Sequence, residues 1–132
     1  VSKGMRVIPL GQAVSRCLKA LKNNELVALL GDRNINERGI SVPFFGKEAS
    51  VPAGPAVLSV HTGASIIPGF LIRQARDKFS LILERPLGEI RLEDKEEELR
   101  RLTREMVKVI EVYIRRYPGQ WFMFYPLWEG VK

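Results

Sequence analysis

Asp32 and Arg33 stand one glycine after an unbroken apolar run, Leu26-Val-Ala-Leu-Leu30. A carboxylate there can orient a hydroxyl, and a guanidinium can hold a phosphate or pyrophosphate. In open α/β sheets, ligands bind outside the carboxyl ends of the strands, and a strand over Leu26–Leu30 would deliver both groups to such a place. The structural alternative is a local ion pair that closes the loop. Arg38 and the aromatic pair Phe44-Phe45 follow in the same stretch. Carboxylate, guanidinium and exposed aromatic groups around one mouth suit a ligand with an anionic head and an apolar tail.

Other reactive chemistry is sparse. His61 is the single histidine. A general-base histidine needs a carboxylate to fix its tautomer and hold the proton it takes, and its neighbours Thr62 and Ser65 only hydrogen bond. His61 therefore reads as a residue near a helix C-terminus that interacts with the end carbonyls. A small hydrolase built from His61 with Asp32 or Asp77 lacks a nucleophile. Asp32-x-Asn34-x-Asn36 imitates the opening of a calcium loop, but Glu37 stands where the sharp-turn glycine belongs and Pro43 where the bidentate glutamate belongs. No metal site is expected. Nucleophile elbows, phosphate-binding Walker loops, zinc pairs and dinucleotide fingerprints are absent from the sequence.

The elements that must position these residues follow from periodicity. Met5–Pro9 is a short apolar run ended by proline and reads as a strand. Gly11–Asn24 carries Val14, Cys17, Leu18 and Leu21 on one face, which predicts a helix of about three turns. Leu26–Leu30 then reads as a parallel strand covered on both sides, reached by a right-handed crossover. Gly31–Pro52 reads as a long functional loop, with Phe44-Phe45 as an interface or lid. Pro55–Thr62 fits a helix with Pro55 near its start and Gly63 as its stop. Ser65–Ile72 and Lys78–Glu84 read as strands, paired antiparallel across the polar turn at Arg73–Lys78. Glu93–Tyr117 is an amphipathic helix, with Leu99, Leu102, Met106, Val109, Ile110, Tyr113 and Tyr117 recurring three or four apart. The closing aromatic segment Gln120–Trp128 places Trp121 in the core. The fold class expected is α/β, a mixed and mostly parallel sheet flanked by helices.

The 132 residues, with 45% hydrophobic and 27% charged side chains, belong to one globular domain. The chain starts at Val1 inside what reads as a structured segment, so the N-terminal part of a longer protein is expected to be absent. A net charge of +6 favours phosphate-bearing partners or reflects an ordinary basic surface. Cys17 is the sole cysteine, so no intramolecular disulfide forms, and its setting is that of a small buried hydrophobe. No apolar run approaches the ~18 residues needed to cross a bilayer.

Several motifs, taken in order, resemble one family: Leu26 to Asp32; Gly39-x-x-Val42-x-Phe44-Phe45-Gly46-x-x-Ala49-x-x-Pro52-x-Gly54-Pro55-Ala56; Thr62-Gly63-Ala64 to Pro68; and Glu111-x-x-Ile114-x-x-Tyr117-Pro118-x-Gln120-Trp121. They resemble the lipid A biosynthesis acyltransferases of the lysophospholipid acyltransferase-like superfamily, and phosphatidylinositol mannoside acyltransferases look similar. The resemblance covers nearly all of the chain and corresponds to the C-terminal portion of a single acyltransferase domain with a partial glycerolipid acyltransferase-like fold. It implies transfer of a fatty acyl group from an acyl carrier protein or coenzyme A thioester to a glycolipid hydroxyl, with no cofactor, at the cytoplasmic face of the inner (plasma) membrane. The chain would sit there peripherally or be held by an absent N-terminal part.

In that family a histidine with an acidic residue at H-x4-D/E spacing is the general base, and no position in this chain matches it. The catalytic residues are thus expected outside this chain, which would be inactive alone. Asp32 would orient, Arg33 and Arg38 would neutralise phosphate, and Phe44-Phe45 would touch the acyl chain. Two departures bear on the acceptor: Pro126-Leu127-Trp128 replaces the usual two arginines and tryptophan, and Arg33 stands where many members have glutamine. The competing expectation is a non-catalytic basic module that binds anionic lipid or nucleic acid. The chain lacks an RNA-binding aromatic signature and a helix-turn-helix pattern, so nucleic acid is not expected as a partner.

Overall fold

The computed structural model describes residues 4–34, 38–91 and 93–128. Three α-helices, two antiparallel hairpins and two single 3-10 turns (Leu10–Gln12 and Pro118–Gln120) make up its regular structure: α1 (Ala13–Lys22), β1 (Gly39–Phe44), β2 (Lys47–Pro52), α2 (Gly54–Thr62), β3 (Gly69–Ala75), β4 (Lys78–Leu83) and α3 (Lys95–Arg116).

α3 is the spine. Asp94 caps it, its carboxylate accepting from the backbone N–H groups of Glu96 and Glu97 at 3.0 and 3.2 Å, and glutamates fill the positive first turn. One side of α3 packs Val107 against the β1–β2 hairpin, where Val42, Phe44, Ala49 and Val51 form the main core with Leu127. Another side packs Leu102 against Ala56 and Val60 of α2. Two buried sides require the broad apolar stripe that the sequence carries. The β3–β4 hairpin meets α3 through Phe70, whose ring stacks on Tyr113 at 3.7 Å, and through the Tyr113 hydroxyl, which donates to Glu84.

The sheet departs from the expectation. No parallel pairing occurs among the described residues; each sheet is a two-stranded hairpin. Leu26–Leu30 is not a strand, and Leu26 is 92% and Leu30 71% exposed. A strand is defined by the ladder it joins, and no described strand lies alongside this run. Met5–Pro9 likewise forms no strand and is tethered by the Arg6–Glu25 ion pair.

Gly31–Pro52 is not one long loop. Ile40, Val42 and Phe44 alternate with Ser41 and Pro43, and β2 returns with Ala49 and Val51 facing the same way. The turn is Phe45-Gly46, with φ of +51° and +78°. Positive φ at both central residues is the primed geometry that matches strand twist. The usual Asn-Gly signal is missing, and Phe at φ > 0 is uncommon.

The helices fall where periodicity placed them, with Gly63 at φ +76° stopping α2. The second hairpin is antiparallel as expected, but β3 starts only after Pro68, at Gly69, and runs through Arg73 to Ala75, so Ser65–Pro68 lie outside the strand and the turn shrinks to Arg76-Asp77. No described helix is long and apolar enough to cross a membrane.

Candidate functional site

A cavity of about 470 Å³ lies between the 26–32 segment, β3 and α3. Leu29, Leu30, Leu58, Ile66, Met106 and Ile110 supply much of its apolar lining, and Asp32, Tyr113, Gln120 and Trp121 supply polar atoms. A largely apolar hollow with a few convergent polar groups is the usual make-up of a ligand site, and its size falls within the ~300–1,000 Å³ of such sites. Leu30, part of that lining, is itself largely exposed.

The backbone reaches Asp32 by close approach. At Gly31 a Cβ would sit 3.3 Å from Met106 Sδ, so the chain lies directly on α3 there. Beyond it, three successive residues are tied to the aromatic tail. The indole Nε1 of Trp121 donates to Asp32 Oδ2 at 3.1 Å. Arg33 Nη2 donates to the Phe122 carbonyl at 2.7 Å. The Asn34 amide donates to the Tyr125 hydroxyl at 3.1 Å, and Asn34 Nδ2 reaches Ser50 Oγ on β2 at 2.8 Å. Asp32 and Arg33 are therefore not closed on each other as a loop ion pair; each is held by the tail.

Of the five residues expected to bind ligand, Asp32 alone lines the cavity. Arg33 is half-buried beside it in sequence, and Arg38 is exposed ahead of β1. Phe44 and Phe45 are not an exposed pair. Phe44 is completely buried, ringed by Phe45, Trp121 and Trp128 at 5.2, 5.8 and 6.2 Å. Phe45 is half-buried at the turn, with its amide donating to Glu111 Oε1 at 2.7 Å and the Arg115 guanidinium over its ring at 5.1 Å. The strand period explains the outcome: Phe44 is the third inward residue of β1.

His61 lies on the outer side of α2 and is exposed, with Nδ1 2.8 Å from the Val57 carbonyl. In the tautomer that donates there, the ring bonds one turn back onto its own helix. Residues 35–37, and with them the calcium-like Asn36 and Glu37, lie outside the described residues.

The periodicity of α3 assigns Tyr113 to the core, yet it lines the cavity. The hydrogen bond it donates to Glu84, together with burial, pushes its phenol up from the ordinary value, so it is a neutral donor. Gln120 and Trp121 were also not singled out as cavity residues. Their signal was present in the sequence: two polar-tipped side chains immediately after a Pro-Gly helix stop.

Residues 1–130 match the family described as bacterial lipid A biosynthesis acyltransferase, and the chain belongs to that family. The chain is also similar to phosphatidylinositol mannoside acyltransferases. It is 28% identical to the protein of Mycobacterium tuberculosis (strain CDC 1551 / Oshkosh), over 96% of this chain and 40% of that protein. It is 29% identical to the protein of Mycolicibacterium smegmatis (strain ATCC 700084 / mc(2)155), over 82% of this chain and 34% of that protein. The chain thus spans well under half the length of these relatives.

Proposed function

We propose that this chain is the ligand-binding portion of an acyltransferase that moves a fatty acyl group from a thioester of acyl carrier protein or coenzyme A to a hydroxyl of an anionic glycolipid. The observation that carries this reading is the Asp32 carboxylate in the wall of a largely apolar cavity. It is supported by membership of the family and by relatives named for a glycolipid substrate.

In the reaction the acceptor oxygen forms a C–O bond to the thioester carbonyl carbon and the C–S bond breaks. The hydroxyl proton passes to a general base and then to the departing thiolate. That base is a histidine–acid pair contributed from outside these residues, so the chain alone transfers nothing. Asp32 accepts from a hydroxyl of the acceptor and fixes its direction. Arg33, whose guanidinium has donors beyond the one given to Phe122, neutralises the acceptor phosphate, and Arg38 adds charge on the approach. The acyl chain lies in the cavity against Leu30, Met106 and Ile110. Phe44 stays in the core, and Phe45 stays at the hairpin turn on Glu111 and Arg115. The protein works at the cytoplasmic face of the plasma membrane, where both a glycolipid and a soluble thioester are within reach.

The test is acyl transfer by the full-length gene product, with palmitoyl-coenzyme A or palmitoyl acyl carrier protein as donor. A phosphatidylinositol mannoside and a lipid A precursor would be offered as acceptors in separate reactions. Product with either is expected, and Asp32→Ala should cost on the order of 100-fold or more in kcat/KM, the scale of a lost orienting group. Binding of anionic vesicles without any transfer would replace this reading with that of a non-catalytic lipid-binding module.

A further inference from the structure

We propose that Trp121 is a positioning residue: its indole N–H holds the Asp32 carboxylate in the orientation that receives the acceptor. This rests on the role given to Asp32 above.

The geometry is specific to that task. Trp121 gives its single donor to Oδ2 of Asp32 at 3.1 Å. Among the described residues, Oδ1 has no hydrogen-bond partner and remains available. Asp32 is half-buried in an apolar wall, where a carboxylate with one oxygen fixed has its remaining lone pairs aimed along a set direction. A loop carboxylate without that bond would rotate about two side-chain torsions and lose orientation.

The indole is itself held at both ends. Its ring packs on Phe44 at the centre of the main core. The residue before it, Gln120, clasps the Arg73 backbone of β3 twice: Oε1 accepts from the Arg73 amide at 2.9 Å and Nε2 donates to the Arg73 carbonyl at 3.1 Å. The Gln120-Trp121 dipeptide thus links the β3 wall of the cavity to the Asp32 wall. The other tail tryptophan, Trp128, satisfies its N–H on a backbone carbonyl of the core, that of Phe44, at 2.9 Å, whereas Trp121 gives its own to a charged side chain in the cavity wall.

The experiment uses the full-length protein and the variants Trp121→Phe, Asp32→Ala and the double substitution. Phenylalanine keeps aromatic packing and removes the donor. Two readouts are taken. The first is the indole 1H–15N resonance of Trp121, identified by its loss in Trp121→Phe. It should move in Asp32→Ala; an unmoved resonance overturns the proposal whether or not the protein transfers acyl groups. The second is transfer kinetics. Trp121→Phe should lower kcat about tenfold, the scale of one hydrogen bond to a charge, with KM for the thioester unchanged. The double variant should be no worse than Asp32→Ala alone, because the two act as one unit.

Losses that multiply in the double variant mean that Trp121 acts through packing, and overturn the proposal. If the wild type transfers nothing to any acceptor, the reading of function fails. The hold on Asp32 is then judged by the resonance alone, a shift sustaining it and no shift removing it.

Discussion

Phe45 turns a hairpin with a backbone conformation that L side chains rarely adopt, at a cost of about 1–3 kcal/mol. Three contacts offset that cost: the amide on Glu111, the stack on Phe44 and the Arg115 guanidinium over the ring. Glu111→Ala removes the first and leaves an unmet, partly buried N–H, so it should destabilise by about 1–3 kcal/mol in urea unfolding. A second residue-scale case is Glu98, which is buried and held by two donors along one edge of the Arg101 guanidinium, Nε to Oε2 at 2.8 Å and Nη2 to Oε1 at 2.6 Å. That bond, partly opposed by burial and helped by the Arg91 amide, lowers its carboxyl from 4.5 to about 2. A folded value below the unfolded one means that the stabilisation is complete above pH 4.5 and drains away as pH falls towards 2. The amount is on the order of 2–3 kcal/mol. Between pH 7 and pH 3, the denaturation free energy of the wild type should therefore fall more than that of Glu98→Gln. Neither device was legible beforehand. Phe44 and Phe45 announced an aromatic pair but not that one faces the core and the other bends the chain, because the turn lacks the Asn-Gly that would have marked it.

At the scale of elements, the helices were readable because their information is local. Pro55, Gly63 and the 3.6-residue stripe of α3 each act within a few residues, and so does the Asp94 cap; Asp94→Ala should cost about 1 kcal/mol, seen as a lower thermal midpoint. The Leu26–Leu30 run was misread for the opposite reason. Its apolar composition is real, but a strand needs partners that its own residues do not specify. The β1–β2 hairpin was missed because Gly39, Pro43 and Gly46 look like loop residues. In the structure Pro43 sits opposite Glu48 on an edge strand, where a missing N–H is tolerated. Gly39 is needed for clearance, since a Cβ there would fall 2.6 Å from the Val51 carbonyl and 2.5 Å from Asn34 Nδ2. Gly39→Ala should push the 31–34 segment off β2, lowering stability and, with it, any function that Asp32 serves. Circular dichroism melts together with ligand retention would register both.

Across the whole molecule, apolar surface remains uncovered. Leu71, Leu81 and Leu83 stand on the outer face of the β3–β4 hairpin, each more than 60% exposed, while Phe70, Ile72 and Ile82 point the other way. A hairpin that is apolar on both faces resembles a strand pair from the middle of a layered domain. The 132-residue chain alone should therefore self-associate as concentration rises. Leu71→Lys with Leu81→Lys should return it to monomer in sedimentation velocity. Added salt should strengthen the association rather than weaken it, because the net charge of +6 opposes contact between copies. Alternation along each strand shows which residues share a face; which face is left uncovered depends on how the hairpins dock on α3.

One tether also decides where such growth is allowed. With its amide and carbonyl both occupied by the Gln120 side chain, Arg73 offers no rung to an incoming ladder on the free border of β3. Sheet extension on that border stops short of Arg73. A glutamine thus serves as a chain terminator, limiting how far neighbouring polypeptides can add edge to edge and confining any supplementary strand to the stretch between Gly69 and Ile72.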